Sequence, residues 1–442
     1  MHRKSMLLFI HTVLLVLASA TALIPAFALD ASPEGAPVPA PSPAFVAPLT
    51  LDDAITLAAE HLPFYQAARL RVASTEALYN AALGPYFPRF DAAAAYRRFY
   101  TSAEDFDTRN YELSLSYLLY DGGERRANRT LARLNLENDR LEVRNTLLEL
   151  YYAVRTAFYT ALAQQELVTQ RRVQRGDAQT DYEVAQGRYK FGVARLSDVL
   201  QASVRLEQAR FNLIQAEGDL VKAFSDLNSL VGRPLESSYA LAGTLDPEVK
   251  LPELRYFYEA ALDKPEVLQA ENDIRRAEQN QALVRSTFKP LVTAEAAYQR
   301  TSGGIFRTSF PDQRFAGLTA TWNIFELGKF FRYKSARIEK DIAAQQLSEV
   351  KRQLLLAVNR AYEDVQISSN QIGVARQQVK QAEQNYEQAY GEYKVGKGDI
   401  LSLVQAESFL AEAREQLITA RLNFILSLSL LQRTAGTPWT SR

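Results

Sequence analysis

Residues 189–202 read YKFGVARLSDVLQA and residues 393–406 read YKVGKGDILSLVQA. One glycine-centred turn is therefore written twice, each time within a long helical pattern. The spacing is 393 − 189 = 204 residues, and carrying the comparison without a gap over 182–234 against 386–438 gives 19 identities in 53 positions. This is an internal duplication. Pro63 and Pro88 match Pro265 and Pro290 at an offset of 202, which extends it to the start of each half. The first repeat covers residues 49–234 and the second 251–438, joined by the linker 235–250, LESSYALAGTLDPEVK; residues 439–442 are a short tail.

The helical segments carry a seven-residue period. Val199, Leu206, Leu213, Leu220 and Leu227 form a large apolar stripe, with Ala202, Ala209, Ala216 and Ala223 three residues on. The second repeat has Leu403, Leu410, Leu417, Phe424 and Leu431 beside Ala406, Ala413, Ala420 and Ser427. A strict heptad drifts around a straight helix of 3.6 residues per turn, so it predicts left-handed supercoiling against a neighbour. Gly123 to Gly192 and Lys329 to Gly396 each read as nearly unbroken helix, roughly 100 Å long at about 1.5 Å per residue. The return helices, 196–231 and 400–434, cover about half that length.

Between the helices the period changes to two. In YELSLSYLLYDGG the residues Leu113, Leu115, Tyr117 and Leu119 alternate with Glu112, Ser114 and Ser116; in FAGLTATWNIFELG, Ala316, Leu318, Ala320, Trp322 and Ile324 alternate with Gly317, Thr319, Thr321 and Asn323. That is a strand with one apolar and one polar face. The partner strands are RFDAAAAYRRFY and LVTAEAAYQR, reached through polar loops at about 102–110 and 301–313, which sets β-hairpins at about 86–121 and 290–326. Strands of about ten residues with aromatics toward their ends suit a membrane barrel, whose outer face would carry Leu113, Leu115, Tyr117, Leu318 and Trp322. Four strands are too few to close one, so the barrel has to be shared by more than one chain. The expected fold is mainly α with a small β part.

The start, MHRKSMLLFIHTVLLVLASATALIPAFALD, has Arg3 and Lys4, an apolar run from about Met6 to Leu17 and Ala26-Phe27-Ala28, the pattern of a secretory signal peptide over residues 1–28. A Pro/Ala-rich leader, 29–48, follows. Cysteine is absent, so neither disulfides nor a lipid anchor on an N-terminal cysteine is expected. Lysine plus arginine equals aspartate plus glutamate at 51 each, so no net field favours nucleic acid. With three histidines, no phosphate loop and no nucleophile elbow, neither enzyme, metal centre nor cofactor is expected. Carboxylates such as Glu149 and Glu363 read as solvated helix faces.

The duplicated turn, the GRP and GTP that close the repeats at 232–234 and 436–438, and the helix-proline-strand order resemble the outer-membrane efflux proteins, the TolC-like family, over essentially the whole mature chain. The resemblance implies a homotrimer: long coiled-coil hairpins forming an α-barrel across the periplasm, and four transmembrane β-strands per chain contributing to a twelve-stranded barrel in outer-membrane lipid. It implies a passive exit duct serving an inner-membrane transporter through a periplasmic adaptor (membrane fusion) protein. By the same resemblance the adaptor would meet the hairpin tips, here Phe191, Gly192 and Val193, and Val395, Gly396 and Lys397. The second tip departs from the usual apolar pattern with Lys397, Gly398 and Asp399. Family members narrow near the tips at a ring of acidic residues, for which Glu387 and its counterpart Glu183 stand in register. The residues alone also fit a coiled-coil tether anchored in the envelope that conducts nothing.

Overall fold

The computed structural model describes residues 48–102, 104–246, 251–303 and 312–436. The signal segment, the leader up to residue 47, linker residues 247–250 and the end of the chain from 437 lie outside the described residues.

Each repeat runs short helix, helix, β-hairpin, very long helix, return helix. The first has α1 (Leu51–His61), α2 (Pro63–Ala81), β1 (Arg89–Phe99), β2 (Phe106–Tyr120), α3 (Glu124–Lys190) and α4 (Leu196–Val231). The second has α5 (Leu254–Leu262), α6 (Pro265–Ser286), β3 (Leu291–Gly303), β4 (Asp312–Thr321), α7 (Leu327–Lys394) and α8 (Ile400–Ala435). Local chemistry sets the starts. Thr50 caps α1, its hydroxyl accepting from the Asp53 amide at 3.2 Å, while Pro63 and Pro265 open α2 and α6, where a missing N–H costs nothing. Asp121 caps α3, accepting from the amides of Gly123 at 2.9 Å and Arg125 at 2.7 Å.

The 67 residues of α3 and 68 of α7 make two rods of about 100 Å. Each pairs with its return helix over the half nearer the turn and with α2 or α6 over the half nearer the strands. The small stripe forms the close seam: Ala202, Ala209, Ala216, Ala223, Ala406, Ala413 and Ala420 are all buried. Leu220, Val199 and Leu417 are only half-buried, and Ile418 takes the inward place beside Leu417 because α8 also faces the core cluster built on α5 and α7. A thicker belt lies partway along the rods. There α1 and the bridge Leu49–Leu241 cover Leu150, Val154 and Phe158 of α3, while Phe257 and Ala261 of α5 cover Val358 and Ala361 of α7.

The two hairpins are joined by polar contacts. Arg171 meets Glu415 at 2.6 Å, Arg433 meets Glu149 at 2.7 Å, and Arg155 donates to Gln432. Glu149 thus links α3 to α8 from a partly exposed face, and Glu363 is exposed as expected.

Ala209 is 1% exposed, packed with Ala178, Leu206 and the edge of Tyr182. Ala209→Leu inserts three carbons into that seam, and overpacking of this kind costs about 1 to 3 kcal/mol. A lowered melting temperature for Ala209→Leu is expected; an unchanged one would mean that the seam has room.

Candidate functional site

The strands form one antiparallel sheet in the order β1-β2-β3-β4. Its register aligns the alternation of all four over the middle of the sheet, while Arg314 stands opposite Tyr298, Phe315 opposite Ala297, and β2 shifts register between Leu118 and Tyr120. Leu113 stands opposite Ala92 and Tyr298, Leu115 opposite Phe90 and Ala296, and Tyr117 and Leu318 both opposite Ala294. Residues directly opposite share a face, so these side chains make one continuous apolar surface. The other face carries Asp91, Ser114 and Ala297 in one row and Ala93, Glu112, Gln299 and Gln313 in the next. Among the described residues no helix covers the sheet: all of β4 is exposed, and Leu318 is 72% exposed. Both edge strands present unpaired backbone groups, a state that sheets relieve by pairing with a further strand.

Two expectations about the strands are corrected. Trp322 lies one residue past β4, not within it. Its indole N–H donates to the Phe288 carbonyl at 3.0 Å, and the Asn323 carbonyl accepts from Lys329 at 3.2 Å. Across from it, Leu291 is preceded by Pro290, which has no N–H to continue the ladder. The polar loop expected at about 102–110 is also shorter, because Phe106 to Asn110 belong to β2. Phe99 stacks on Phe106 at 4.9 Å, and Arg109 lies over the Tyr96 ring at 6.0 Å, so side-chain pairs extend the hairpin through a polar sequence. Likewise β3 runs on to Gly303 and β4 begins at Asp312, leaving 304–311 of the second expected loop outside the described residues.

At the far end of the helices both turns share one geometry. Gly192 has φ 71° and Gly396 φ 81°, in the left-handed region that suits glycine. The Val193 amide reaches the Arg188 carbonyl at 2.9 Å and the Lys397 amide that of Glu392 at 2.9 Å, closing both helices in the same way. Phe191 is 88% exposed, Val193 and Val395 are largely exposed, and Lys397 points to solvent. The tips are nevertheless tied together. Tyr393 is buried beneath the Arg188 guanidinium, 4.5 Å from its ring centroid, and Arg188 also donates to the Tyr393 carbonyl. Glu387 and Glu183 are both exposed, Glu183 accepting from Gln179 at 2.8 Å.

Sequence reasoning missed a group of buried charges above the tips. Asp181 and Glu407 are each 3% exposed, and Arg205 of α4 reaches Glu407 of α8 at 3.1 Å. A signal for them existed: Asp181 stands between Ala178 and Ala185, and Glu407 between Leu403 and Leu410, at the inward positions of a helical pattern.

The outer membrane efflux protein family model matches residues 54–233 and 257–437, the two repeats in turn. Protein CyaE of Bordetella pertussis is 26% identical over 404 residues, covering 89% of this chain and 85% of that protein. The toluene efflux pump outer membrane protein TtgC of Pseudomonas putida is 24% identical over 309 residues, 67% of this chain and 62% of that one. Among solved structures, CusC superimposes with a TM-score of 0.78 at 17% identity, over 92% of this chain and 99% of CusC.

Proposed function

Because this chain belongs to the outer membrane efflux protein family, we propose that it is a passive exit duct. Three copies would pool four strands each into a twelve-stranded outer-membrane barrel, and their helices would continue it as a periplasmic α-barrel. An inner-membrane transporter would supply energy and cargo through a periplasmic adaptor. The observation that carries this reading is a four-stranded sheet with one apolar face, two open edges and no covering layer, set on paired coiled hairpins. A sheet of that kind has no stable place in water on its own. A second apolar seam supports assembly: Leu200, Val204, Phe211, Ile214 and Val221 are exposed along α4 at alternating spacings of four and three, with two positions taken by Glu207 and Gly218. A neighbouring copy would cover it.

Single-channel recording of the purified protein in a planar bilayer tests the duct. Discrete conductance steps are expected; an envelope tether would give none. The mass of the detergent-solubilised assembly tests the trimer.

In this reading Glu387 lines the constriction, with Glu183 on the same turn of the other hairpin. Three carboxylates around one narrow lumen attract cations and favour their passage. Glu387→Gln is therefore expected to shift the reversal potential in a salt gradient toward that of a less cation-selective pore. Equal reversal potentials for the two proteins would remove Glu387 from the conduction path.

A further inference from the structure

Asp181 lies on the inward face of α3, where its neighbours at helical spacing are the buried Ala178 and Ala185. Both of its carboxylate oxygens are buried without a hydrogen-bond partner. An ionised carboxylate in that position is costly unless a neighbouring charge compensates it. Each element around it contributes a titratable or charged group: Arg205 from α4, Glu407 from α8, Tyr386 from α7, and Asp177 one turn away on α3, itself beside Arg414 of α8. Tyr393, Arg188 and Asp198 follow toward the tip. Arg205 meets Glu407 through Nε alone, leaving its Nη2 and the second Glu407 oxygen buried without hydrogen-bond partners. Arg414 in turn meets Glu383 of α7 at 3.1 Å, so four acids share the guanidinium groups of Arg205 and Arg414, and Asp181 is the one whose two oxygens have no hydrogen-bond partner.

We propose that this seam is a proton-operated latch between the two hairpins of one chain: with Asp181 protonated they close on each other above the tips, and its ionisation loosens them. Burial first, then the charges of Glu407 and Asp177, push the Asp181 carboxyl up to about 7, with Arg205 opposing. Burial likewise raises Glu407, against the pull of Arg205, and raises the Tyr386 hydroxyl. A carboxyl whose affinity for protons is higher in the packed state stabilises packing most at low pH. That advantage is lost as pH rises from its ordinary value of 3.8 to about 7, and beyond that there is no further change. For those two values the opening equilibrium grows about tenfold between pH 6 and pH 8. The latch concerns the packing of the hairpins and holds whether or not the assembly conducts.

Amide hydrogen exchange on the purified full-length protein, corrected for the intrinsic effect of pH, reads this directly. Peptides from 176–190 and 400–410 are expected to lose about tenfold in protection between pH 6 and pH 8, while peptides from the belt do not change. Asp181→Asn, the neutral isostere, is expected to stay protected at both pH values. Glu407→Gln removes a like charge and frees Arg205 for Asp181, so its transition is expected at lower pH. Protection in the wild type that does not vary with pH, or an Asp181→Asn protein that keeps the wild-type transition, would overturn the proposal.

Discussion

Leu115→Arg is expected to prevent stable membrane assembly, whereas the same charge one residue earlier, at Ser114, is expected to be accommodated. Leu115 sits in the apolar row between Phe90 and Ala296, while Ser114 sits in the opposite face between Asp91 and Ala297. A charge on the lipid face of a barrel costs about 2 to 4 kcal/mol near the midplane. In the proposed trimer that would be about 6 to 12 kcal/mol, comparable to the whole stability of a typical folded domain at about 5 to 15 kcal/mol. At Ser114 the new guanidinium would face water and the Asp91 carboxylate across the strand pair. The amount of heat-modifiable oligomer in membrane extracts measures the difference. Equal oligomer from both variants would mean that the apolar face is not the lipid face.

Gly192→Pro is expected to leave the assembled barrel intact and to abolish export by cells. Proline holds φ near −65°, and the backbone here is at 71°, so the turn cannot keep its path. The substitution also removes the amide that donates to the Tyr189 carbonyl at 2.9 Å. The damage stays local, because the sheet lies the length of α3 away, about 100 Å. Gly192→Ala separates backbone from space: an added Cβ meets nothing within 4 Å, so only the left-handed conformation is penalised, by about 1 to 2 kcal/mol. Phe191→Asp leaves the turn untouched and changes only the exposed surface an adaptor would grip. If export persists in Gly192→Pro and Phe191→Asp at normal protein levels, the first tip is not the docking surface.

The parts of this molecule legible in its sequence are those governed by local period. The ends of α4 and α8 fall where the heptads begin and stop, and the glycines of the duplicated turn take the left-handed backbone their position requires. Alternation from Glu112 to Tyr117 and from Ala316 to Thr321 marked strand faces whose register matches across the middle of the sheet, while the expected continuation to Ile324 lies past β4. Each of these features depends on residues within two helical turns or one strand of each other, and adjacent residues suffice to encode it.

Other features depend on partners far away along the chain, and these only the tertiary structure decided. Phe106 to Asn110 look like loop by composition and become strand because Arg98, Tyr96 and Phe99 stand opposite them. Trp322 continues an alternating pattern yet leaves the sheet, because the Phe288 carbonyl offers its indole a bond and Pro290 offers the ladder none. Asp181 reads as one more helical carboxylate. It is buried because α4, α7 and α8 converge on it from positions up to about 226 residues away, Glu407 being the most distant. A carboxyl's proton affinity is set by its surroundings in space, and no window of sequence contains them.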